Sequence, residues 1–211
     1  MRHIAYLFAY LCAALLLPIS IVNAESGRPS NIKLSASNGV ENEDLMNVLR
    51  FQGINYTKVK FTGTDLWGKN FKIFLRDYTQ NKLVKSHEIF DSTEDEFFKL
   101  KEKEFGFDVL VQRTNSNKAK FDFRFLGFGV VKEIALGADQ KDFMLKSQRA
   151  DDIETSIAVN QAQTILSFMM PYQSKNGVIK YVDVNQAGIT PEELGKKFKI
   201  PRYFLIDIRF D

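Results

Sequence analysis

Cysteine is nearly absent: the 211 residues contain one, Cys12. That excludes a disulfide framework and a thiolate-ligated metal cluster. Histidine is almost as scarce, with only His3 and His87 in the chain. Zinc sites built on imidazole therefore lack ligands. An excess of one charge is also missing, because 29 Lys and Arg stand against 26 Asp and Glu, interspersed along the chain. A nucleic-acid footprint needs clustered, unpaired basic residues, so nucleic acid is excluded as an expected partner. No repeat of fixed period appears, which argues against a propeller or solenoid.

What is present begins with an address. Arg2 precedes a stretch from Ile4 to Ile21 that is apolar except for Tyr6, Tyr10, Pro18 and Ser20, the pattern of a secretory n-region and h-region. Val22-Asn23-Ala24 places compact residues at the cut, so residues 1–24 read as a signal peptide cleaved after Ala24. Pro18 and that cut site argue against a retained anchor. Leu11, preceding Cys12, is too large for a lipoprotein signal. The expected location is periplasmic or secreted, with no transmembrane segment after cleavage.

Removing 24 of 211 residues leaves 187, enough for one domain. The core has ample material, because 18 of the 19 Phe, five of the seven Tyr and Trp67 lie beyond the leader, and each ring buries roughly 150–250 Å². Residues 25–41 are polar, with only Ile32 and Leu34 apolar between Glu25 and Gly39, and read as a flexible lead-in. Residues 42–211 form the expected domain.

Asn42 before Glu43 and Asp44 is an N-cap, and Leu45, Met46, Val48 and Leu49 give a helical face that Gly53 ends. Period-two alternation follows over 56–61, 71–76 and 83–90, with a turn at Gln80-Asn81. Ser92 to Leu100 has capping chemistry for one helical turn. A second hairpin joins 107–113 to Phe121, Phe123 and Phe125, and Gly127 with Gly129 predicts a bulge or bend before 130–136. Phe143 to Leu145 reads as a short strand, and 149–161 as loop followed by strand. Asn176-Gly177 predicts a two-residue turn joining 164–172 to 178–184. Thr190-Pro191-Glu192-Glu193 opens a short helix, and 203–210 reads as a closing strand. About nine or ten strands joined by hairpins, with two short helices, predict a mainly β, antiparallel β-sandwich.

The chain resembles an uncharacterised family of secreted β-rich proteins from Bacteroides-type Gram-negative bacteria. The likeness is carried by Leu45-Met46 with Phe51-Gln52-Gly53-Ile54, Gly68-Lys69 with Phe71, Ile89-Phe90-Asp91-Ser92, and Ile200-Pro201 with Tyr203-Phe204-Leu205-Ile206-Asp207. It implies a β-rich exported fold and brings no known activity.

Catalytic constellations are hard to assemble. Ser86 and His87 are strand neighbours that point to opposite faces, and no Gly-x-Ser-x-Gly elbow presents another serine. Asp151-Asp152 with Glu154, and Asp91 with Glu94, Asp95 and Glu96, are the densest oxygen clusters. Neither has the spacing of a calcium loop, so both read as solvated acidic loops. Gly127-Phe128-Gly129 is no phosphate cradle. Scattered carboxylates at Asp65, Glu88, Asp183 and Asp207 leave a carboxylate pair open, because glycoside hydrolysis needs only two acids at a set separation. No catalytic residue, metal ligand or cofactor is assigned.

What remains is aromatic character near turns: Trp67 in a polar loop, and Tyr78 and Tyr172 near hairpin ends. Such rings can stack on sugars or anchor a protein partner, although for Trp67 folding over the end of the core is the plainer alternative. The expected function is a non-catalytic binding or interaction domain outside the cytoplasm, for a glycan or an envelope protein. The alternatives are a carboxylate-dependent glycoside hydrolase and a structural accessory subunit of a cell-envelope complex, whose exposed strand edges would pair with a partner.

Overall fold

The computed structural model describes residues 30–137, 142–147, 155–174, 176–182 and 190–211. The chain is mainly β, with antiparallel sheets packed as a sandwich and, among the described residues, two α-helices. The expected signal peptide, Asp183 and the Asp151, Asp152 and Glu154 cluster lie outside the described residues.

Sheet A contains β1 (Ile32–Asn38), β2 (Ile54–Thr62), β5 (Glu104–Arg113), β6 (Lys118–Phe125), β7 (Phe128–Ala135) and β9 (Thr155–Ile157), in the order β7-β6-β5-β2-β1-β9. Sheet B contains β3 (Phe71–Thr79), β4 (Lys82–Asp91), β8 (Met144–Ser147), β10 (Gln163–Met169) and β13 (Arg202–Phe210), ordered β4-β3-β13-β10-β8. A small pair, β11 (Tyr172–Gln173) and β12 (Ile179–Lys180), stands apart. At one edge β4 meets β7, and at the other β8 meets β1 and β2.

Alternation fixes the core. Inward residues of sheet A, among them Leu34, Val59, Phe61, Val109, Phe121 and Phe123, meet Ile73, Leu75, Phe168, Phe204, Ile206 and Phe210 from sheet B. Rings join the layers: Phe61 lies 5.1 Å from Phe210, Phe71 4.4 Å from Phe105, and Phe121 5.4 Å from Phe204. Centroid separations in that range suit aromatic pairs, so the thiol-free interior is a phenylalanine core.

Several expectations need correction. The lead-in is not flexible throughout: 32–38 is strand β1, paired with both β2 and β9, with Ile32 and Leu34 buried. Two inward residues are enough for a strand whose Lys33, Ser35 and Ser37 face outward, and that low apolar count imitates a linker. Gly127 marks no bulge; at φ 89° it closes a two-residue turn that pairs Phe125 with Phe128. The 164–172 segment does not run into a hairpin. Instead β10 pairs with β13 and β8, and only the two-residue β11 and β12 meet across 174–178. That turn is longer than the expected dipeptide, with Ser174 N–H donating to Val178 O. Strand β13 closes nothing, because it lies centrally between β3 and β10.

Helix α1 (Glu43–Phe51) starts where Asn42 Oδ1 accepts the Leu45 N–H at 2.9 Å. Its apolar residues are not a core face, since Leu45, Val48 and Phe51 are exposed. Around Ser92 to Phe98 two 3-10 turns replace the single expected turn, capped by Asp91 and Asp95. Helix α2 (Leu194–Phe198) follows a 3-10 turn at Pro191–Glu193 and is opened by Glu193, which accepts the Thr190 N–H. Among the described residues no helix is long and apolar enough to cross a membrane.

Candidate functional site

The two sheets differ in what lies on their outer faces. Part of the outer face of sheet B is roofed. Leu194 of α2, Val182 and Ile200 pack with Met169, Tyr203, Leu205 and Tyr78 in a second apolar cluster. Tyr78 stacks on Tyr203 with centroids 5.0 Å apart, and the Tyr203 hydroxyl donates to Glu192 O at 2.6 Å. Burial pushes the Tyr203 phenol up to about 12.

A polar cluster fastens this roof. Arg76, on the outer side of β3, donates from Nη2 to Asp207 Oδ1 at 3.0 Å, to Thr164 Oγ1 at 3.1 Å and to Glu192 Oε1 at 2.7 Å. Its Nη1 donates to the Tyr78 hydroxyl at 2.9 Å. Thr164 donates in turn to Asp207 at 2.8 Å. Burial works against the Arg76 charge, but the hydrogen bonds to Asp207 and Glu192 outweigh it and hold the guanidinium firmly protonated. Asp207 and Glu192 both bind Arg76, which stands between the two carboxylates where a sugar ring would have to lie. The arrangement is a clamp, joining β3, β10 and β13 to the segment that opens α2.

The other candidate groups also have structural tasks. Asp65 accepts the Asn31 N–H at 3.1 Å. Asp95 caps the Phe97 N–H. Glu88 stands across from Phe74 in the β3–β4 ladder. His87 is half-buried in β4 opposite Leu75, and burial with Lys132 and Lys85 nearby lowers its basicity. Among the described residues no group of three or more His, Cys, Asp or Glu could hold a metal.

Asp91 pairs with Lys72 and also accepts from the Thr93 N–H and hydroxyl. Partial burial would raise its carboxyl, but those hydrogen bonds prevail and hold it at about 2. A carboxyl depressed on folding adds stability above its unfolded value, near 3.8, and loses it as pH falls through about 2. The stability advantage of the native chain over Asp91→Asn is therefore expected in full at pH 5 and above, and gone only below about pH 2. Urea midpoints of both proteins across that range measure it.

The three rings expected to bind fall in different settings. Trp67 follows a 3-10 turn (Thr64–Leu66) and is 65% exposed, so it does not fold over the core. Tyr78 is only 6% exposed, because α2 and Ile200 cover the hairpin end that local sequence leaves open. Tyr172 is half-buried against Phe198, with centroids 4.9 Å apart. Trp67 precedes the start of β3 and Tyr78 lies near its far end, so the three rings do not converge.

Around Trp67 the structure adds residues not singled out from sequence. Gly68 N–H donates to Leu100 O, Leu100 N–H to Lys69 O, and Gly63 N–H to Lys103 O, which ties the Trp67 loop to the segment leading into β5. That segment is preceded by exposed Phe97, and exposed Leu126 tips the β6–β7 turn at the same end of the sandwich.

Beside this end the outer face of sheet A carries a groove of about 530 Å³. Its floor is Gly106, placed between Lys60 on β2 and the β6–β7 turn. A Cβ there would lie 2.8 Å from Val59 O, so the missing side chain both opens the groove and lets β2 approach. Ser35, Ser37, Lys58, Lys60 and Arg124 line it. Two acids complete the wall. Glu104 pairs with Lys60 at 2.8 Å, and Asp108 stands near Tyr56, whose phenol is pushed up to about 12 by burial first and by the nearby Asp108 carboxylate second. The parity of β2, β5 and β6 could have revealed this charged face, but only once the register was known.

Comparison with known protein families, curated proteins and solved structures finds no match.

Proposed function

We propose that the chain is a non-catalytic binding domain acting outside the cytoplasm, and that it engages a glycan of the cell envelope. The observation that supports this most directly is the contrast between the two outer faces. Part of sheet B is roofed by the chain's own apolar elements, whereas Lys58, Lys60, Glu104 and Arg124 stand exposed around an open groove on sheet A. A shallow site with polar side chains on a rigid sheet suits ligand capture, because the strands fix the contact residues before binding. Exposed Trp67 and Phe97 at the adjoining end supply flat apolar surface on which a sugar face can stack. Export fits the signal-like leader.

The test is retention on an array of envelope glycans. Trp67→Ala combined with Phe97→Ala is expected to reduce retention at least tenfold, the effect of losing an exposed aromatic anchor. The melting temperature should stay within a few degrees, since both rings are mostly exposed. Equal retention by the double variant would remove the rings from the contact surface. A native protein that holds no glycan at all would remove the proposal.

A further inference from the structure

We infer that the sheet A groove selects glycans carrying carboxylates, with Lys58 as the residue that reads the acid. The inference rests on the glycan-binding reading above and adds the chemical class of the ligand. Three cations stand around the Gly106 floor, and two are already engaged. Lys60 pairs with Glu104, and Arg124 grips Asp122 through Nε and Nη2, both at 2.7 Å. Asp108 lies directly across the β2–β5 ladder from Lys58, the natural position for a cross-strand pair. No ion pair forms between them, and among the described residues no carboxylate pairs with Lys58. Lys58, exposed opposite Ser37 on β1 and lining the groove, carries a point charge awaiting an anion.

The rest of the groove points to a sugar rather than an acidic peptide. Strands β2 and β5 are paired on both sides, so their backbones offer no edge to which an extended peptide could add. Recognition must run through side chains, and these are hydroxyls, ammonium groups, a guanidinium and carboxylates that match the hydroxyls of a saccharide. Leu126 is the one large apolar side chain exposed on the rim, too little for the buried anchors that hold peptides. A groove of about 530 Å³ lies within the range typical of small-molecule sites.

Affinity electrophoresis in gels containing polygalacturonate, a neutral polysaccharide of similar length or polyglutamate tests this. Retardation by polygalacturonate is expected to exceed that by either comparison polymer tenfold or more. It should fall at least tenfold in Lys58→Glu and less in Lys58→Gln, while Lys85→Gln on exposed β4 leaves it unchanged. Arg124→Gln, on the opposite wall, is a second variant whose weaker retardation would support the same groove. Equal retardation by neutral polysaccharide would overturn the acid selectivity while leaving glycan binding standing. Equal retardation by polyglutamate, or by the Lys85 and Lys58 variants alike, would overturn it as mere charge attraction. No retardation by any polysaccharide would overturn both readings.

Discussion

Replacing Asp207 with alanine is expected to lower stability by about 3 kcal/mol, the low end of the cost of breaking a buried ion pair, because Glu192 still accepts from Arg76. Asp207 and Arg76 retain only 5% and 19% side-chain exposure, so water cannot readily take over the lost interaction. In a chain of this size 1 kcal/mol moves the melting temperature by about 2–4 °C. A drop of roughly 6–12 °C should therefore appear in thermal melts. Glu192→Gln provides the contrast. Its side chain is 41% exposed, and its loss should cost about 1 kcal/mol or less. Equal, small losses in both variants would show that the clamp does not hold the sheet B roof.

The second large effect is expected at Phe61. Its ring is fully buried, in contact range of Phe105 and Phe107 on its own sheet and of Phe210 across the core. Phe61→Ala should cost about 3–5 kcal/mol, combining lost transfer energy with the cavity left behind. Phe61→Leu keeps most of the volume and should cost about 1.5 kcal/mol or less if neighbours repack. Urea unfolding at constant slope measures both. If the alanine variant lost less than about 1 kcal/mol, the two sheets could not be sharing that ring.

These two positions show why only part of the architecture was legible in the sequence. The hairpins β3–β4 and β5–β6 were readable because each has one wet face, so Phe121, Phe123 and Phe125 alternate visibly with Asp122 and Arg124. Strand β13 carries Asp207 and Arg209 on its outer side, which gave it the look of a boundary strand. Its central place depends on partners such as Arg76, 131 residues away along the chain. Tyr78 was misplaced for a similar reason: its local context is a turn, but Leu194 and Ile200 arrive from over 110 residues later to cover it.

The candidate site divides in the same way. Trp67 sits in a polar loop beside Gly68, and local chemistry was enough to nominate it. The groove depends on Lys58, Lys60, Gly106 and Arg124 meeting across β2, β5 and β6, and that adjacency exists only after register is set. Gly106 lies outside the expected strand 107–113 but inside β5, where the β2 backbone comes close.

The position of β13 also bears on how the native state is reached. Sheet B cannot acquire its middle until residues 202–210 find β3, across more than a hundred intervening residues. Pairings so distant in sequence make conformational search slow. Until it ends, Phe71, Ile73 and Leu75 present a sticky surface with an unfilled neighbour. Refolding yield from denaturant should therefore fall steeply as protein concentration rises.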